Sequence, residues 1–83
     1  MVINMTNKQL LNKIQKIAGK IDYITFIIKK KGNYYDIYCN VFYNGSRVDI
    51  EVEYDVLDKS KIFRRLLNLK AYMREYYDVR EVM

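Results

Sequence analysis

The chain has 83 residues, with fifteen Lys and Arg against ten Asp and Glu for a net charge of +5, and 51% of its residues are apolar or aromatic. That length holds one domain, and that hydrophobic content excludes a disordered chain. With no His, no Trp, no Pro and a single Cys, the usual parts for general acid–base catalysis, zinc sites and disulfide frameworks are missing.

Residues 1–8 lack the long apolar stretch of a signal peptide, and no run approaches the ~18–20 apolar residues of a membrane span. The expected location is therefore the cytoplasm, with no membrane partner. Thr6-Asn7-Lys8-Gln9 has the form of a capping box, with Met5 placed to staple onto Leu10. Leu10, Leu11, Ile14, Ile17 and Ala18 recur at helical spacing, which predicts a helix over 7–18 closed by Gly19 in the left-handed conformation.

From Ile21 the period changes to two, and Gly32-Asn33 and Asn44-Gly45 are hairpin turns of type II′ and type I′. Strands are expected at about 21–31, 34–43 and 46–56. Two-residue turns set the register. Ile28, Phe26 and Ile24 face Ile37, Cys39 and Val41, and Val41, Cys39, Ile37 and Tyr35 face Val48, Ile50, Val52 and Tyr54. All these residues share one face, and a one-residue slip would turn the set to water. Cys39 belongs to this apolar face and reads as core. Asp58 is the N-cap of a second helix over about 59–77, with Ile62, Phe63, Leu66, Leu69, Met73, Tyr76 and Tyr77 as its apolar stripe. The tail 78–83 has no period. The expected fold is α+β, a single αβββα domain: a three-stranded antiparallel meander with both helices packed on one face.

The other sheet face carries Tyr23, Ile27, Tyr38 and Phe42 as an apolar patch of a size that marks interaction sites. Cross-strand stabilisation of the sheet is the alternative use of such residues. Beside them, Asp49, Glu51 and Glu53 recur at every second position of the third strand. They suit a basic protein partner, or an edge that resists sheet-to-sheet pairing. No lysine or second element converges on these carboxylates, so neither a metal site nor catalysis is expected, and no cofactor.

Charge is polarised along the chain: residues 1–20 sum to +4, 21–44 to +1, 45–58 to −4 and 59–83 to +4. The third strand runs back toward the first turn. Lys29, Lys30 and Lys31 are therefore expected near the second helix's N-terminus with Lys59, Lys61, Arg64 and Arg65, a candidate phosphate-binding cluster.

Element order and these basic residues are similar to double-stranded-RNA-binding domains. That resemblance implies duplex contact through Lys29 to Lys31 with Gly32 and through Lys59, Lys61, Arg64 and Arg65, although the Gly-Pro and histidine of that family's loop are absent. The composition, with ten Ile, ten Lys, nine Tyr and seven Asn, has the bias of an AT-rich genome. Together with the size and the aromatic patch beside Asp49, Glu51 and Glu53, it resembles the small αβ host-takeover proteins of phages and archaeal viruses, anti-CRISPR proteins among them. This implies a non-catalytic inhibitor that binds a host protein or nucleoprotein. Nucleic-acid-backbone binding is the alternative, and homodimerisation through the aromatic face, which would use the same residues as the first reading, is a third.

Overall fold

The computed structural model describes residues 4–82; residues 1–3 of the opening segment and Met83 of the expected tail lie outside the described residues. The order is α1 (Asn7–Gln15), β1 (Tyr23–Lys31), β2 (Tyr34–Tyr43), β3 (Ser46–Val56) and α2 (Lys59–Met73), with the strands in the sheet order β1-β2-β3. This is the expected αβββα meander. Both helices contribute to one core with the inward sheet face. Leu10, Leu11 and Ile14 of α1 meet Ile24, Phe26, Ile37, Cys39, Val41, Ile50 and Val52 of the sheet and Ile62, Leu69 and Met73 of α2. Each aliphatic side chain so buried contributes about 1.5–3 kcal/mol.

Local chemistry explains the element boundaries. The Thr6 hydroxyl accepts from the Gln9 amide at 3.1 Å while the Gln9 side chain accepts from the Thr6 amide at 2.9 Å, the reciprocal box read in the sequence. Asn44 (φ 48°) and Gly45 (φ 77°) both take the left-handed region, as a type I′ turn requires, and Gly32 takes φ 57° at the first turn. Both hairpins hold the expected register from their turns inward: Ile28 to Ile37, Phe26 to Cys39, Ile24 to Val41, Val41 to Val48 and Cys39 to Ile50.

Beyond Glu51 the expected register fails. Ile37 pairs with Glu53 rather than Val52, and Tyr35 with Val56 rather than Tyr54, across two register shifts. Asp55 marks the irregularity with φ 58°, and its amide donates to the buried Asp36 carboxylate at 3.0 Å instead of to the ladder. A bulge places two successive residues opposite one and turns side chains across the sheet. Val52 and Glu53 are accordingly both buried, which removes Glu53 from the row of outward carboxylates.

Both helices are shorter than their apolar periodicity. α1 stops at Gln15, where Ile17 closes a tighter turn onto Ile14, and Gly19 is not in the left-handed region. α2 stops at Met73, and the amides of Tyr76 and Tyr77 both bond to the Met73 carbonyl. This early exit lets the tail dock. Ile24 donates to the Asp78 carbonyl and Arg80 donates to the Ile24 carbonyl, each at 2.9 Å, so the tail pairs in parallel with the β1 edge. At the opposite edge, Met5 donates to the Val52 carbonyl at 3.1 Å and the Asn4 side chain accepts from the Tyr54 amide. Part of each open strand edge is thus occupied by the chain's own termini, which blunts edge-to-edge pairing.

Candidate binding surfaces

The sheet face opposite the helices is built as rows that cross the strands. At one end the Tyr23 and Phe42 rings stack at 4.4 Å, the Arg80 guanidinium lies 4.1 Å from the Tyr23 centroid, and Phe42 pairs with Arg47 in register. Next comes a polar row: Thr25 donates to Asn40 at 3.0 Å, Asn40 donates to Asp49 at 2.7 Å, and Arg47 pairs with Asp49 at 3.1 Å. The third row is Ile27, Tyr38 and Glu51, in which the Tyr38 hydroxyl donates to Glu51 at 3.1 Å and Lys29 lies 4.7 Å from the Tyr38 ring. Desolvation first, and then that hydrogen bond to Glu51, hold the Tyr38 phenol above its ordinary pKa.

This geometry corrects the expected apolar patch. Tyr23, Ile27, Tyr38 and Phe42 do share the face, but all four are half-buried and the Thr25–Asn40–Asp49 row separates one pair from the other. Asp49 and Glu51 remain exposed beside them. Glu53 does not: it lies on the helix side, paired with Arg65 at 2.8 Å. A groove of about 490 Å³ runs along the face between the strand rows and the docked residues Arg80, Glu81 and Val82. The tail forms this wall because Glu81 pairs with Lys70 at 2.7 Å and with Arg74 at 3.6 Å. The Lys70 ammonium hydrogen-bonded to it, with Lys70 and Arg74 charge adding, holds the Glu81 carboxyl below its usual range.

The register Lys30–Tyr35–Val56 runs from the first turn to the segment that leads into α2, and the cations of the expected cluster are put to several uses. The two-residue period sends Lys29 and Lys31 to the open face and Lys30 to the other. Lys31 pairs with Asp36 at 3.3 Å, and Lys30 lies 6.0 Å from the Tyr35 ring. The hydrogen bond from Lys31 to Asp36 is the main reason the lysine's pKa is raised. On α2, Lys59 lies 5.9 Å from the Phe63 ring, while Lys61 and Arg64 are exposed. Arg65 is a structural hub that donates to Glu53, Asn7, Asn68 and the Met5 carbonyl. Nor are the first amides of α2 open to a phosphate, because the Asp58 carboxylate already accepts from Ser60 at 2.9 Å and Lys61 at 3.3 Å.

Three features escape the sequence reading. Arg80 and the docked tail have no periodicity to announce them. Buried Asp36 reads in the sequence as one more outward strand residue. Helical spacing counts Phe63 in the apolar stripe of the second helix, yet it is 46% exposed, and Leu67 one turn on is 66% exposed. At 100° per residue they fall to the side of the Ile62–Leu69–Met73 line, a signal available from the helical angles alone.

Among the described residues no group of three or more Cys, Asp or Glu is placed to hold a metal ion, and no helix is long and apolar enough to cross a membrane. Cys39 is buried in the core, where desolvation chiefly, and the Asp49 charge secondarily, push its thiol up to about 12. The fold and its surfaces define a small two-layer α+β domain with one uncovered sheet face. Comparison with protein-family models, with curated proteins and with solved structures finds no match.

Proposed function

We propose that this chain is a small non-catalytic binding protein of viral or mobile-element origin that acts in the host cytoplasm by direct attachment to a host protein. Its target in this reading is a defence or nucleic-acid-processing protein, which it inhibits by occupying a functional surface. The observation that carries the reading is the uncovered sheet face, where exposed Asp49 and Glu51 stand beside half-buried Ile27, Tyr38 and Phe42 and a groove runs alongside. Apolar contact at the centre with charge at the rim is the usual anatomy of a protein interface. Asp49 is paired with Arg47 within the face, so Glu51 is the carboxylate left to favour a basic partner surface, which is common among proteins that handle nucleic acid.

The viral part of this reading rests on the composition and the resemblance given above. The rival reading, attachment to a nucleic-acid backbone, is favoured by one specific observation: Lys61 and Arg64 are exposed and meet no carboxylate among the described residues. Against it, Lys31 and Arg65 are already paired with carboxylates and the first α2 amides are capped.

Affinity capture from the host with wild type and with the double variant Phe42→Ala/Glu51→Lys tests the first reading. The expected result is a protein retained by wild type and lost by the variant, with unchanged circular dichroism. Gel shifts on duplex RNA, duplex DNA and single strands at two salt concentrations test the rival. A salt-sensitive complex abolished by Lys61→Glu/Arg64→Glu would favour it over the sheet-face reading. Solution mass separates both from homodimerisation through the sheet face, which would double it.

A further inference from the structure

We propose that the outer face of α2 is a second docking surface, and that its occupant is an acidic amphipathic helix of a partner protein. Phe63 and Leu67 stand one turn apart and so form a line along the helix, 46% and 66% exposed; Leu57, just before the helix, is 63% exposed. The residues that α2 gives to the core, Ile62, Leu69 and Met73, lie on a different side. Leu67 is thus mostly free of the domain, and Phe63 offers the half of its surface that the domain does not cover.

Charge identifies the occupant. Between Lys59 and Met73 the helix has no carboxylate. Two of its five cations are neutralised from elsewhere, Arg65 by Glu53 and Lys70 by Glu81, whereas Lys61 and Arg64 are exposed without an acidic partner among the described residues. Lys59 lies against Phe63, which brings its ammonium to the rim of the apolar line. At 100° per residue Lys59 and Arg64 flank the Phe63–Leu67 line on its two sides, whereas Lys61 falls on the far side of the helix with Arg65. A surface with an apolar line at one-turn spacing and a cation on each flank complements a helix whose apolar residues recur at three and four with Asp and Glu on the flanks.

The other occupants fit less well. A nucleic-acid backbone would use the cations and leave Phe63 and Leu67 in water. A second copy would set one carboxylate-free helix against another, with like charges facing. Phe63 keeps half its surface on the domain, and the main apolar face of α2 is already buried, so neither supplies the free apolar face that a helix needs to lie in a bilayer.

The test uses the whole protein and a fluorescein-labelled helical peptide with leucines at three-and-four spacing flanked by glutamates. Saturable anisotropy at micromolar protein is expected, weakened about tenfold or more by Phe63→Ser/Leu67→Ser and again by Lys59→Glu/Arg64→Glu. Phe42→Ala/Glu51→Lys on the sheet face should leave it unchanged, which separates this proposal from the sheet-face function. Circular dichroism of each variant checks the fold, and because Lys59 and Arg64 are exposed, Lys59→Glu/Arg64→Glu keeps the test decisive should the serine variant misfold. The proposal is overturned by no binding, or by binding insensitive to both α2 variants. It is equally overturned if the α2-dependent ligand is a phosphatidylserine vesicle or a duplex oligonucleotide instead, or if the α2 variants abolish a dimer.

Discussion

Replacing Arg65 by alanine should destabilise the domain rather than remove a ligand contact. The guanidinium joins three parts of the chain: it pairs with Glu53 at the β3 bulge at 2.8 Å, bonds the Met5 carbonyl at 2.6 Å, and reaches Asn7 and Asn68 on the two helices. The side chains of Arg65 and Glu53 are only 22% and 11% exposed. Truncation strands the Glu53 carboxylate, and breaking a buried pair in this way costs about 3–5 kcal/mol. The residual exposure of the pair admits some water, so the low end, about 3 kcal/mol, is expected. For a domain of this size that is a fall in Tm of roughly 12–24 °C, out of a total stability on the order of 4–12 kcal/mol.

Thermal and urea unfolding followed by circular dichroism measure this directly. Arg65→Lys should fall between, because one ammonium can meet Glu53 but cannot also bridge Met5 and Asn7. The double variant Arg65→Met/Glu53→Gln should recover most of the loss, since no charge is left stranded. If Arg65→Ala loses less than about 1 kcal/mol, Arg65 is not the hub described above. If it keeps full stability but loses binding to a nucleic acid, the residue is a ligand contact after all.

The bulge gives a second prediction. Asp36→Ala leaves the Asp55 amide without its acceptor and should cost about 2 kcal/mol, while Asp36→Asn keeps an acceptor and should cost clearly less, as urea midpoints will tell. Tail docking should respond to acid. The Glu81 carboxyl is depressed, so its contribution is fully present above its ordinary value and is lost as pH falls through its lowered folded value. Exchange protection of the Ile24 and Arg80 amides should therefore fall in strong acid ahead of that of Cys39, and Glu81→Gln should show the weakened protection at neutral pH. The Cys39 thiol, pushed up to about 12, should resist thiol reagents at pH 8 until the protein unfolds. Because its folded pKa is above the unfolded one, stability should decline as pH rises through the ordinary thiol range, and Cys39→Ala should remove that part of the decline.

Much of the fold is legible because its signals are local and agree. Two glycine-containing turns set the register of the strand segments that adjoin them, and the apolar alternation of Ile24, Phe26, Ile37, Cys39, Val41, Val48 and Ile50 confirms a single inward face. Thr6 and Asp58 announce their helices through side-chain hydrogen bonds to backbone within three residues. What is not legible depends on contacts between residues far apart in the chain. The bulge is held by a bond between Asp36 and Asp55, and no period of two can contain it. Arg65 looks like a surface cation until Glu53 is turned toward it by that bulge. Arg80 joins the sheet face only because α2 ends early enough for Asp78 to reach Ile24. The candidate surface was therefore legible as a set of residue types. Its division into rows was not, because the Thr25–Asn40–Asp49 chain of hydrogen bonds spans three strands.

The most direct test of the proposed sheet-face function is quantitative affinity capture from lysate of the proposed host with three baits: wild type, Phe42→Ala/Glu51→Lys on the sheet face, and Lys61→Glu/Arg64→Glu on α2. Each bait is first shown by thermal melting to be folded, and nuclease treatment removes bridging nucleic acid. The expected outcome is a host protein enriched by wild type and by the α2 variant and depleted about tenfold or more with the sheet-face variant. A protein retained equally by wild type and the sheet-face variant, with none depleted, would contradict the assignment of the open sheet face as the binding surface.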